Sequence, residues 1–251
     1  MKTLSVANQK GGVGKSTLSV HIAYAAKERG LRVLLVDMDK QGNLSLSFSE
    51  EPNAQALSAS QLFVQGVTAL PAEHAGFSLI RADGALEQVE GQGDDVIRYP
   101  RANLAQFKQS FDLCIIDTPP AIGKILRGAL IASDYVLTPF QMGLYEMAGA
   151  RDLMNTLNLI RATGQNPMLK HLGILPMKIN TKSPQEMRAL EELQKAYGKA
   201  VLPYHIAERT AVKQSIARKK PVWTGATGLS HIRARAEWRN ACDDILKRMG
   251  F

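Results

Sequence analysis

Residues 8–17 read NQKGGVGKST, and their types and spacing suit the capture of phosphate. Gly11, Gly12 and Gly14 let the backbone close around phosphate oxygens where side chains would collide, with the Val13 peptide completing the turn. A strand before such a turn and a helix after it give converging backbone N–H groups, with the positive end of a helix dipole behind them. Lys15 is placed to reach the β- and γ-phosphates, Ser16 to help hold Mg²⁺, and Thr17 to bond the α-phosphate. Two features depart from the common G-x-x-x-x-G-K-[ST] pattern. The position of its first glycine holds Gln9, and a second lysine, Lys10, stands where the loop begins.

The elements that must position these groups can be read from the alternation of β-branched apolar runs with helical patterns. Strands are expected over 3–7, 32–37, 77–81, 111–117, 135–139 and 171–176, and a helix over 16–29 with Gly30 as its stop. Ser183-Pro184-Gln185-Glu186 reads as a helix start in which Ser183 caps and Glu186 closes a capping box, with Gly198 ending that helix. Stretches 43–61 and 87–103 give no clear reading. The pattern predicts an α/β fold: one mostly parallel, twisted sheet with helices on both faces, in a single domain over 1–251. Ligands of such sheets sit beyond the carboxyl ends of the strands. Asp37 and Asp117 each end a buried strand, so both are expected at that edge. Asp117, within IIDTPP, suits Mg²⁺ coordination through a water, and Thr118-Pro119-Pro120 forms a stiff turn facing the γ-phosphate.

The 251 residues are enough for one good core, and 45% apolar with 22% charged residues describes a globular chain rather than a disordered one. Two distant cysteines, Cys114 and Cys242, lack metal-ligand spacing and fit a reduced, cytoplasmic setting. No signal segment or membrane-spanning run is evident. The net charge is +8 and unevenly placed: from residue 201 onward, ten basic side chains face four acidic ones. Such asymmetry points to a polyanion, either nucleic acid or an acidic membrane surface.

KGGVGKST, VDMDKQGN and DLCIIDTPP together resemble the deviant-Walker P-loop ATPases, the family of ParA, Soj and MinD, and the likeness extends to RTAVKQSIARKKPV. The resemblance implies a P-loop NTPase fold, ATP and Mg²⁺ as cofactors, and an ATP-bound sandwich dimer. Within that dimer Lys10 reaches the partner's phosphates, and two facing triphosphates need the extra cation. It also assigns Asp39, rather than Asp37, to the attacking water and to the metal's surroundings. Asn180 and the backbone at Ile206 and Ala207 are implied adenine contacts. Lys40 stands where the family usually has proline, and Ala207 also replaces a usual proline.

Within the family, three readings differ in class. A ParA-type partition ATPase binds DNA without sequence preference as an ATP dimer and is released when a ParB-like adaptor stimulates slow hydrolysis, giving a nucleoid-associated cytoplasmic protein. Arg209, Lys213, Arg218, Lys219 and Lys220, on a helical stretch closed by Pro221, favour it. The chain begins on the first strand, so the helix-turn-helix extension of some plasmid ParA proteins is not expected. A MinD-type membrane cycle rests on the stripe Trp238, Cys242, Ile245, Met249. Asp243 and Asp244 interrupt it, and packing on the sheet is the expectation. An iron–sulfur carrier lacks suitably placed cysteines.

Overall fold

The computed structural model describes residues 1–49, 57–68, 77–142, 146–225 and 228–251, with the side chains of 146–150 excepted. Six strands form one sheet: β1 (Lys2–Val6), β2 (Val33–Asp37), β3 (Phe77–Ile80), β4 (Leu113–Asp117), β5 (Tyr135–Gln141) and β6 (Lys170–Met177), in the order β3-β2-β4-β1-β5-β6. Every pairing is parallel, as the apolar runs predict for strands buried on both faces. The period of two is visible in the core. Leu4, Val6, Val33, Leu35, Leu113 and Ile115 join one apolar cluster, whereas Leu34, Val36, Cys114 and Ile116 face the other.

On the first face lie α1 (Lys15–Glu28) and α9 (Leu229–Arg248). Trp238, Cys242, Ile245 and Met249 are buried there against α1 and the sheet, so the C-terminal apolar stripe is core. Among the described residues no helix is long and apolar enough to cross a membrane. On the second face lie α3 (Leu86–Val89), α4 (Tyr99–Ala105), α5 (Lys124–Ala132) and α6 (Glu146–Ala162). α2 (Asn43–Ser47), α7 (Pro184–Tyr197) and α8 (Thr210–Ala217) complete the helices used below.

Helix ends follow local chemistry, with one correction. Ser183 caps α7 by accepting from the Glu186 N–H at 3.3 Å, and Gly198 ends it. The expected capping box does not close, because the Glu186 carboxylate turns to the N–H of Asn180 at 2.8 Å. Of the stretch 43–61, residues 50–56 lie outside the described residues; the rest holds α2 and a 3₁₀ turn, Ala59–Phe63. The stretch 87–103 holds the end of α3, a 3₁₀ turn and α4.

Candidate nucleotide site

The carboxyl edge of the sheet gathers the loop and both aspartates. Val6, which leads into the loop, is the register partner of Asp117, and Asp117 is the register partner of Asp37. Gly14, at φ 104°, is the N-cap of α1, and a β-carbon there would meet Met177 Cε at 3.2 Å. Only glycine both turns the chain into the helix and admits the end of β6 so closely. The loop's base is fixed by Asn8, whose Nδ2 donates to the Pro139 carbonyl at 2.7 Å while its Oδ1 accepts from the Lys10 N–H at 2.8 Å.

The two lysines are placed in contrast. Lys15 is buried, and its ammonium donates to the Lys10 carbonyl at 3.0 Å. Burial holds its pKa below the ordinary lysine value, against the pull of the Asp117 and Asp39 carboxylates. The Lys10 residue is exposed at the loop's rim. Gly11 and Gly12 are also exposed, Val13 is buried, and Ser16 and Thr17 are half-buried at the helix start.

The three aspartates divide their work. Asp37 accepts from the Ser45 N–H at 2.7 Å, the Ser45 hydroxyl at 2.8 Å and the Asp39 N–H at 3.2 Å, so it shapes the β2–α2 turn and its oxygens are used up. Asp39 accepts from the Gln41 N–H at 3.0 Å and faces the Lys15 side of the site. Asp117 is wholly buried beside Ser16, and burial, with Asp37 across the strand pair, pushes its pKa up to about 8. Among the described residues none donates to its Oδ2. A buried, unpartnered carboxylate oxygen next to a serine hydroxyl is a donor set that suits Mg²⁺, directly or through water. No group of three or more His, Cys, Asp or Glu side chains with metal-holding geometry occurs among the described residues. The Thr118 hydroxyl donates to the Val6 carbonyl at 2.9 Å, so its side chain joins β4 to β1 instead of facing the loop.

Beside the loop opens a cavity of about 310 Å³ whose walls include Gly14, Thr17, Ile206, Ala207 and Val212. Its size and apolar walls suit an adenine base and ribose. Asn180 lies outside this lining and is exposed, its Oδ1 accepting from the Lys182 N–H at 3.1 Å. Arg209 and Lys213 line the cavity too. Arg209 is held by both Glu237 carboxylate oxygens, joining the start of α8 to α9, so it faces Glu237 rather than an open surface. Lys213 pairs with Glu208 at 3.2 Å and remains exposed. Arg218 and Lys220 are exposed just past α8, with Lys219 half-buried between them.

The chain matches the AAA domain family over residues 1–171. The protein called IncC from Escherichia coli is 34% identical over 229 residues, 89% of this chain and 63% of that protein. Soj of Bacillus subtilis, a sporulation initiation inhibitor protein, is 30% identical over 229 residues, 88% of this chain and 90% of Soj. The chain belongs to the ParA/Soj family of P-loop ATPases. It spans less than two thirds of the IncC length. A solved structure similar to it is cobyrinic acid a,c-diamide synthase from Mycobacterium smegmatis with bound ADP and magnesium. That chain is 26% identical with a TM-score of 0.79, over 99% of this chain and 95% of the other.

Several working contacts of this ParA/Soj-family chain had no sequence signal. Lys40, in place of proline, pairs with Glu87 Oε1 at 2.5 Å and so ties the segment after Asp39 to α3. One residue beyond α3, the Glu90 carboxylate accepts from the Lys124 N–H at 2.8 Å and the Ile125 N–H at 3.2 Å, capping α5 after the Asp117 turn. A β-carbon on Gly123, the N-cap residue, would lie 2.4 Å from that carboxylate. The sequence shows a glycine and a distant glutamate; only the fold shows that one replaces the other's missing cap.

Proposed function

We propose that this chain is a ParA-type partition ATPase that hydrolyses ATP with Mg²⁺ and cycles between free and DNA-bound states. The observation that carries the reading is the pair of lysines on one loop, Lys15 buried with its ammonium on the Lys10 carbonyl and Lys10 exposed at the rim. A lysine at the rim has little to gain from its own nucleotide, while facing triphosphates in a sandwich dimer place several negative charges within its reach. ADP and magnesium in the 26% identical relative support the cofactors.

Loop N–H groups and Lys15 hold the phosphates, Thr17 bonds the α-phosphate, and Ile206 and Ala207 wall the adenine with Asn180 at the outer rim. Mg²⁺, when bound, offsets charge on the β- and γ-oxygens; Ser16 and Asp117 would hold it. Asp39 orients the water that attacks the γ-phosphorus, helped by its fixed tether to Gln41. DNA contacts fall to Lys213, Arg218, Lys219 and Lys220, while Arg209 braces α8 on α9. Dimerisation doubles this patch, so ATP switches on DNA binding without any base-reading group. A ParB-like adaptor stimulates hydrolysis and release. The setting is cytoplasmic and nucleoid-associated, with one domain over 1–251.

Anisotropy of a labelled random-sequence duplex, titrated with protein under ATP, ADP and no nucleotide, tests this. Salt-sensitive binding with ATP alone is expected. Equal binding under all three conditions, or none, overturns the switch.

A further inference from the structure

We propose that Lys178 is a positioning residue of the phosphate loop, setting the orientation of the Gly12–Val13 peptide; the inference rests on the nucleotide site proposed above. Lys178 is the first residue past β6, and its backbone is left-handed, at φ 57°. A lysine in that conformation is strained, and such strain persists where the surroundings demand it. Its ammonium donates to the Gly12 carbonyl oxygen, 166 residues earlier in the chain. The preceding Met177 packs against Gly14, so the end of β6 forms one wall of the loop.

The consequence follows from peptide geometry. In a trans peptide the C=O and the N–H point in opposite directions. Holding the Gly12 carbonyl therefore holds the Val13 N–H as well. Gly12 sits at φ 73°, a region that glycine enters and leaves freely, so this peptide plane is not fixed by its own sequence. Anion binding by a loop needs its N–H groups already converging. Lys15 restrains a second plane in the same way, through the Lys10 carbonyl. Lys178 thus supplies order to a glycine turn that lacks it, and the strain at its own backbone is the cost of placing its ammonium there.

The test is ADP affinity, measured by titrating a fluorescent ADP in the presence of Mg²⁺, for the wild type, Lys178→Met, Lys178→Arg and Lys178→Gly. Methionine keeps the length and removes the donor; affinity should fall about tenfold, as for a lost hydrogen bond from a charged group. Arginine restores a donor and should return affinity to within about twofold of wild type. Glycine relieves the backbone strain, so its melting temperature should rise by about 2–4 °C while ADP affinity falls as in the methionine variant. A residue serving only structure would not separate stability from affinity in this way. Wild-type affinity in the methionine and glycine variants overturns the inference, as does an arginine variant no better than methionine. Failure of the wild type to bind ADP would instead remove the nucleotide site itself.

Discussion

The Nε2 of His21 accepts a hydrogen bond from the Val222 N–H at 3.1 Å, while its Nδ1 donates to the Thr17 carbonyl at 2.7 Å. One neutral tautomer satisfies both partners, and the ring is stacked on Trp238 with centroids 4.0 Å apart. His21 thereby joins the helix that begins in the phosphate loop to the segment that follows the basic stretch. Protonation would remove the acceptor that the Val222 N–H requires.

Burial lowers the His21 pKa from 6.5 to about 4. The unfolded chain then binds this proton first as pH falls, so stability is full above pH 6.5 and is lost as pH drops from 6.5 towards 4. The loss from this residue is on the order of 3 kcal/mol for a fully buried group. His171, lowered to about 4 by burial and by Arg161, adds a change of the same sign. Urea denaturation at pH 7.5 and pH 5 should show the wild type losing stability, and His21→Gln should lose less over the same interval. Equal losses in both proteins would refute the assignment.

Asp117 shares its strand pair with Asp37, and one of its oxygens has no donor among the described residues. Burial already favours the neutral form of Asp117 at pH 7.5, and Asp117→Asn keeps a neutral group of the same shape, so the nucleotide-free protein should melt no lower than wild type. ATP hydrolysis should fall by about 100-fold or more as the phosphate charge loses its counter-ion's holder. Thermal melting and phosphate release read the two effects separately. Retained turnover would exclude Asp117 from the metal's surroundings.

Asp39 and Lys10 should fail differently. Asp39→Ala should dimerise with ATP yet hydrolyse it about 100-fold more slowly, the usual size of a lost water-orienting group. Lys10→Ala should bind nucleotide as a monomer and dimerise poorly. Size-exclusion chromatography with ATP distinguishes them, and a normal ATP dimer in the lysine variant would count against its action across the interface.

Lys219 has φ 54° just beyond α8, where the chain turns and its carbonyl accepts from the Tyr24 hydroxyl at 2.9 Å. Glycine suits this conformation, so Lys219→Gly should stabilise the fold by about 1 kcal/mol. It should also weaken DNA binding and reduce the slope of log affinity against log salt by about one unit. Denaturation and anisotropy on one preparation would show opposite signs; unchanged DNA affinity would remove Lys219 from the contact surface.

How much of this was legible depends on the range of the signal. All six strands and α1 were readable because a doubly buried strand is a run of apolar residues and a glycine turn marks the helix start. The expected edge position of Asp117 came from the parallel sheet, and that of Lys15 from the glycine loop and its spacing. The short helices α2 and α3 were not readable, since their few residues are held from outside the helix: α2 by Asp37 on the preceding strand, and α3 by Lys40 reaching across to Glu87. Arg209 counted in sequence as one more cation, but Glu237 takes up its charge. Pairings between residues tens of positions apart leave no mark on local pattern.

The Glu90 carboxylate fills the space where a side chain at residue 123 would begin. Natural variation should carry that geometry as a correlation. Where a relative keeps glutamate at the position of Glu90, glycine at residue 123 leaves the carboxylate its place, and a side chain there would have to push it aside. Where the glutamate is gone, serine or aspartate can occupy residue 123 and cap α5 from its own chain. The two positions should therefore vary together, because losing the glutamate alone leaves the first N–H groups of α5 without their cap.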